Sequence, residues 1–343
     1  MVNAFALNPD HATRLKSIYD HSGIDYRYSV IDDFDAKATD FTFFEPSADL
    51  EPFVTTKKRL QVYQEKAIKI ALQAAQNCLS HFSDQMTTQI THLITVSCTG
   101  MYAPGIDVDL VQQLGLKRTT ERTCINFMGC YGAINGLKAA DYICRADPKA
   151  KVLLVSVELC TLHFQKTNTL DNWVANSLFS DGSAAALVEH STNQSNDQTG
   201  LLIEDFYSEF LPESRNEMGW FVGNTGFEMK LTSKVSKQIR KNIKGVTDRL
   251  LQKAGLTKQQ IELYAIHPGG KKILEAVEES LELPEESNTF AYEVLQKYGN
   301  MSSATILFVL QKILKAGKLS NQRVLSFAFG PGLTVEGMVL KVS

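Results

Sequence analysis

The run INFMGCYGAINGLKAA, residues 125 to 140, places Cys130 between a β-prone segment and a stretch of good helix formers. A thiol on the first turn of a helix lies near the positive end of the helix dipole, which favours the thiolate and makes it a nucleophile for acyl groups. Gly129 and Gly132 beside it would let backbone or substrate approach closely. The competing reading is a small buried hydrophobe, the ordinary fate of a free cysteine. A thiolate needs a base or ion-pair partner that is adjacent in space rather than in sequence. Of the seven histidines, His267 is the best placed, because YAIHPGG puts it where a buried strand gives way to a turn. His11, His21, His81 and His190 lie in polar or helical segments, and His92 and His163, flanked by apolar residues, read as core histidines. Asn300 precedes a helix in YGNMSSATILFVL. It is either an N-cap or an amide donor to a developing oxyanion, and spacing does not choose between them.

These residues need elements to hold them, and the pattern supplies an alternation of strands and helices. RLQVYQEKAIKIALQAAQNCL is an amphipathic helix, ITHLITVSC a buried strand, and DVDLVQQLGL a helix capped by Asp107. The next helix is expected from Cys130 to about Ala146, followed by the β-branched strand KVLLVSVEL. In the second half, VSKQIRKNIKGVTDRLLQKAG reads as a helix stopped at Gly255, IELYAIHPGG as a strand and turn, and KKILEAVEESL and SSATILFVLQKILKAG as helices. RVLSFAFGPGLTVEGMVLKVS reads as two strands joined by a Gly-Pro-Gly bend, and STNQSNDQTG, residues 191 to 200, as a surface loop between two halves. The order says α/β.

The 343 residues suit one large domain or two coupled halves, and a formal charge of −3 leaves no basic excess to neutralise nucleic-acid phosphates. There is no 18-residue apolar run for a membrane helix, and MVNAFALNPDHATRLK lacks the features of a secretory signal, so a cytoplasmic protein is expected. The six cysteines, at 78, 98, 124, 130, 144 and 160, form no Cys-x-x-Cys pair, which argues against a zinc ribbon and for free thiols.

NFMGCYGAINGLKAA, IHPGGKKIL, YGNMSSATILFVL and FAFGPGLTVEGMVL, in this order and at these separations, resemble the four signatures of the type III polyketide synthases, the chalcone and stilbene synthase family. The resemblance covers nearly the whole chain. It implies a thiolase-like α/β fold of two similar halves in αβαβα layers, residues 1–195 carrying the nucleophile and 196–343 the histidine and asparagine. It also implies an obligate homodimer in which each protomer has its own active site. By the matched positions Cys130 carries the acyl group, His267 as imidazolium stabilises its thiolate, and His267 with Asn300 stabilises the enolate formed when malonyl-CoA loses carbon dioxide. No metal or redox cofactor is implied. Acyl-CoA and malonyl-CoA are the implied substrates.

The same matching puts Cys98, Cys160, His163, Trp220, Met229, Ser302, Gly330 and Pro331 at or beside the elongation cavity, and Arg14 and Lys16 near the mouth of the CoA tunnel. Trp220 and Met229 read equally well as core, and Arg14 and Lys16 as a solvated helix face. Ala103 stands where plant members place a methionine from the partner subunit, and MGWFVGNTGFEMKL is closer to bacterial members. A fatty acyl starter closing to a pyrone or resorcinol is therefore the leading expectation, with a pentaketide naphthalene from malonyl-CoA alone as its competitor. A β-ketoacyl carrier-protein synthase of the initiating type is the rival enzyme, but its histidine motif continues His-Gln-Ala-Asn where this chain has His-Pro-Gly-Gly. A non-catalytic homologue is the rival outside enzymes. One departure is the beginning: family members carry a further strand upstream of RLKSIYDHSGIDYR, where this chain has only MVNAFALNPDHA.

Overall fold

The computed structural model describes residues 8–343 except 38–39, 48, 84, 194–199, 285 and 318–320. The expected boundary at 195/196, most of the expected loop and the departure at residues 1–7 lie outside the described residues. Ten strands follow in order: β1 (His92–Ser97), β2 (Glu121–Asn126), β3 (Lys151–Leu159), β4 (Asp181–Glu189), β5 (Leu201–Phe210), β6 (Met218–Gly223), β7 (Gly226–Leu231), β8 (Leu263–Ile266), β9 (Arg323–Gly330) and β10 (Thr334–Val342). The described helices are α1 (Pro9–Asp20), α2 (Thr56–Leu79), α3 (Met86–Gln89), α4 (Ile106–Leu114), α5 (Gly132–Ala146), α6 (Leu170–Leu178), α7 (Val235–Ala254), α8 (Lys271–Leu281), α9 (Thr289–Tyr298) and α10 (Thr305–Lys315).

The strands form two four-stranded sheets, ordered β2-β1-β3-β4 and β5-β10-β9-β8, and a β6-β7 hairpin. Both sheets contain a parallel pair followed by an antiparallel return, β1-β3-β4 in the first and β8-β9-β10 in the second. A parallel pair needs a crossover, and α5 and α10 supply it in the two halves. These two helices lie between the sheets, α2 and α4 cover the outer face of the first, and α7, flanked by α8, covers the second. The result is the five-layered pair of similar halves that the resemblance implies.

Core burial follows the apolar pattern. On α2, Tyr63, Ala67, Ala71, Ala75 and Leu79 recur at helical spacing and are buried against the first sheet. Gly255, with φ of 66°, stops α7 as expected because the left-handed conformation costs glycine nothing. Two expectations shift. α4 is preceded by Gly105, whose backbone is extended, and Asp107 sits inside its first turn, 3.0 Å from Arg122 Nε, so it pairs with β2 rather than capping the helix. α5 begins at Gly132, leaving Cys130 on the turn before it.

The halves are also joined by charge. Lys138 Nζ on α5 reaches Glu336 Oε2 on β10 at 2.6 Å, and Glu336 Oε1 accepts from Ser208 Oγ at 2.7 Å. Glu336 is nearly enclosed, so removing only its cation leaves a buried carboxylate short of a partner. Lys138→Met is expected to destabilise the fold by about 3 kcal/mol, seen as a lower urea midpoint; an unchanged midpoint would remove the pair from the account. No helix among the described residues is long and apolar enough to cross a membrane.

Candidate active site

Cys130 is held by an abrupt strand-to-helix turn. Phe127 N–H donates to Ser97 O at 3.2 Å, and Gly132 N–H donates to Gly129 O at 2.9 Å, closing the turn just before α5. Gly129 has φ of 82°, and a Cβ on it would lie 2.3 Å from Pro331 Cδ. The Gly-Pro-Gly bend between β9 and β10 therefore packs directly on the nucleophile turn, and only glycine fits there. That contact explains how a bend 200 residues downstream belongs to the same site.

His267 leaves the end of β8 with its N–H bonded to Phe327 O at 2.7 Å. Its ring is 1% exposed, and neither ring nitrogen has a hydrogen-bond partner among the described residues. Asn300 is anchored through its backbone to Leu178 O and Ser180 N–H. Its Oδ1 accepts from Ser302 N–H at 2.8 Å, and its Nδ2 donates to Gly269 O, in the His267 turn, at 3.3 Å. The Asn300 and Ser302 side chains stand beside the Cys130 thiol and favour its charged form. Asn300 thus braces the turn that precedes α10 without capping the helix, since Ala304 stands at the N-cap position with no side-chain cap bond.

Burial pushes the Cys130 thiol up to about 12; the Ser302 and Asn300 side chains oppose this, while the negative charge of Glu158 adds to it. Burial also drives the His267 imidazole down to about 3. Each group by itself is therefore neutral, contrary to the expectation of a thiol activated by the helix dipole. The reason is position: Cys130 lies ahead of the first helical residue and inside a low-dielectric cleft.

Cys130 opens into a cavity of about 650 Å³. Cys98, Cys160, His163, Trp220, Met229, Ser302 and Pro331 line it, whereas Gly330 lies behind, against the Tyr131 ring. Trp220 and Met229 are a cross-strand pair of the β6-β7 hairpin, which explains why both reach one wall. His163 is a satisfied core histidine as expected, and it also lines the cavity: Nε2 donates to Thr99 O at 2.6 Å and Nδ1 accepts from Phe227 N–H at 2.9 Å. His92 is instead a strand-end residue, 3.6 Å from Glu121. Arg14 and Lys16 are exposed on α1 and do not line the cavity, although Tyr19 of the same helix does. Cys98, Cys144 and Cys160 are buried, but Cys124 is exposed on β2, an edge strand.

Sequence reasoning missed Glu158. Although nothing of it is exposed, it accepts from Cys98 N–H at 2.9 Å, from Thr99 Oγ1 at 2.8 Å and from Ser303 Oγ. Burial raises its pKa, and the donors hold it in place under the cavity floor. The signal was an acid inside the otherwise apolar strand KVLLVSVEL. Arg27 was missed as well; it lines the cavity, donates to Ser177 O at 2.6 Å and lies over the Tyr19 ring.

Known sequences and structures are similar to this chain over most of its length. Residues 8–191 match the chalcone and stilbene synthases, N-terminal domain, and residues 203–343 match the C-terminal domain. The alpha-pyrone synthesis polyketide synthase-like Pks18 of Mycobacterium tuberculosis is 32% identical over 339 residues, 98% of this chain and 84% of that protein. Type III polyketide synthase A of Arabidopsis thaliana is 31% identical over 304 residues, covering 86% and 76%. The type III polyketide synthase domain of Steely1 from Dictyostelium superposes with a TM-score of 0.91 at 29% identity, covering 99% of this chain and 92% of that one. The 1,3,6,8-tetrahydroxynaphthalene synthase of Streptomyces coelicolor gives 0.86 at 26%, covering 98% and 91%. With both domain patterns matched across the sheets and the Cys130 turn, the chain belongs to the chalcone and stilbene synthase family of type III polyketide synthases.

Proposed function

We propose that this enzyme condenses malonyl-CoA onto an acyl-CoA starter held on Cys130, with His267 and Asn300 as its catalytic partners. The observation that carries the reading is a thiol at a cavity beside the Asn300 side chain, whose amide donates to the turn that carries a buried imidazole with neither nitrogen hydrogen-bonded. His267 accepts the thiol proton as sulfur attacks the starter carbonyl, and CoA leaves. The Asn300 amide and the His267 N–H then donate to the malonyl thioester oxygen, where charge develops as carbon dioxide departs. The enolate attacks the Cys130 thioester, the carbonyl chain returns to sulfur, and the cycle repeats until the chain fills the cavity.

A fatty acyl starter and closure to a pyrone or resorcinol is the preferred product class, supported by the similarity to a protein described as acting in alpha-pyrone synthesis. The pentaketide naphthalene alternative is supported by the likeness to the naphthalene synthase. Arg14 and Lys16, on the helix that brings Tyr19 to the cavity, are the proposed partners of the CoA phosphates outside it. The six free thiols fit a reducing cytoplasm. β2 presents an unpaired edge with Glu121, Arg122, Thr123 and Cys124 exposed, a template for a second copy of this chain, so a homodimer is proposed.

Purified protein is to be incubated with labelled malonyl-CoA and short, aromatic and long-chain acyl-CoA starters, with and without acyl carrier protein. Polyketides formed without carrier are expected, their masses giving starter and length. Turnover only with carrier protein would instead identify a β-ketoacyl carrier-protein synthase, and no turnover with either would leave a non-catalytic homologue.

A further inference from the structure

The wall that closes one side of the cavity is held from behind by Arg59. Trp220 Nε1 donates to Cys98 O at 2.8 Å, and its ring meets those of His163 and Phe227 edge-on at 5.7 and 5.8 Å. His163 is stacked on Phe227, with ring centroids 4.2 Å apart. The bonds at both of its nitrogens leave the imidazole no freedom to turn. The carbonyls on either side of His163, those of Leu162 and Phe164, both accept from Arg59 Nη1, the second at 3.2 Å.

Arg59 is an unusual residue to find there. It is 0% exposed, and its remaining bond runs from Nε to Val54 O at 3.0 Å. Nη2 has no hydrogen-bond partner among the described residues, and no carboxylate forms an ion pair with the guanidinium among them. A buried cation without a counter-ion is expensive, and apolar residues of similar volume usually serve stability as well or better. What Arg59 has in exchange is a planar guanidinium whose Nη1 donates to two carbonyls while Nε in the same plane donates to a third, a preset geometry that an apolar side chain lacks and a flexible lysine ammonium does not fix. Its stem also bears on β7: a Cβ at Gly226, where φ is 114°, would lie 2.9 Å from Arg59 Cδ. Its charge, after burial, adds to what keeps His163 neutral.

We propose that Arg59 is a positioning residue for product length: by pinning residues 162–164 it fixes the His163–Phe227–Trp220 wall and so limits how far the growing chain extends on that side. Arg59 does not line the cavity, so it acts through these residues and not on substrate. The proposal rests on the polyketide reading of the cavity.

The test compares wild type, Arg59→Met and Arg59→Lys in products from malonyl-CoA with hexanoyl-CoA and palmitoyl-CoA. Malonyl-CoA decarboxylation, which needs only the Cys130 end, is expected within about threefold of wild type, while the ratio of longest to shorter product changes at least about tenfold, with Lys intermediate. Trp173 and Trp220 are the two tryptophans, so a Trp173→Phe background makes emission report the wall alone. Red-shifted, more readily quenched emission is expected in Arg59→Met. A folded variant with unchanged product ratio and unchanged emission would overturn the proposal, as would decarboxylation and product falling in parallel at constant ratio. Should Arg59→Met not fold, Arg59→Lys is judged by the same two criteria. Absence of polyketide from the wild type with either starter would defeat the functional reading instead, and the emission measurement would still decide whether Arg59 holds the wall.

Discussion

Replacing Cys130 by alanine is expected to abolish chain extension, lowering condensation by at least about 10³-fold while the fold and any dimer are kept. The side chain lost is small and half-buried, and the turn that carries it is fixed by backbone bonds and by the contact of Gly129 with Pro331, none of which involve sulfur. The informative measurement separates the steps. Malonyl-CoA decarboxylation depends in this mechanism on the amide and imidazole donors, so it should persist in Cys130→Ala at a measurable rate while no carbon–carbon bond forms. Extension at the wild-type rate would eliminate Cys130 as the acyl carrier. Loss of decarboxylation together with the fold would point instead to a structural role.

The second large effect concerns His267. With its thiol pushed up to about 12, a Cys130 acting alone would be thiolate in only about one molecule in 10⁵ near neutral pH. A raised thiol pKa means that the thiolate exists above that value and is lost as pH falls through it. An imidazole driven down to about 3 is equally unfit to be a cation by itself. In the proposed mechanism the two are coupled through the proton: moving it from sulfur to nitrogen creates an ion pair whose attraction in a low dielectric offsets both burial penalties. Asn300 and Ser302, beside the sulfur, favour its charged form.

His267→Ala should therefore slow iodoacetamide alkylation of Cys130 at pH 7 and shift its pH profile upward by at least about two units, because the imidazole that takes the proton in this mechanism is gone. Condensation should fall by about 10³-fold, as when a general base and oxyanion donor are lost together. The converse result is equally clear. An unchanged alkylation profile would assign the thiolate to the Asn300 and Ser302 side chains, leaving His267 an oxyanion donor alone.

The two halves of this account were legible to different degrees in the residues. The helix 59–79, the strand KVLLVSVEL and the stop at Gly255 are local matters, in which apolar period and glycine conformation act within one element, and each was found where expected. Asp107 misled because an acid beside a helix start resembles a cap, yet Gly105 takes that position and Arg122, brought alongside by the β1-β2 pairing, takes the carboxylate. Cys130 was placed on a helix because glycine and alanine run on without a breaker; the preceding turn is set by Phe127 and Gly129 in left-handed conformations, a property of the fold around them.

By itself the sequence singled out the proposed nucleophile and its two polar partners and determined the order of elements, because motif order and hydrophobic period are written along the chain. It also determined most of the cavity-lining side chains through resemblance. Only the tertiary structure decided that burial opposes ionisation of both Cys130 and His267, that Glu158 lies fully buried and hydrogen-bonded under the cavity floor, and that Arg59 grips the wall from outside. Those facts depend on which groups are withdrawn from water and which carbonyls come within reach, and both arise only when the two sheets close on α5 and α10.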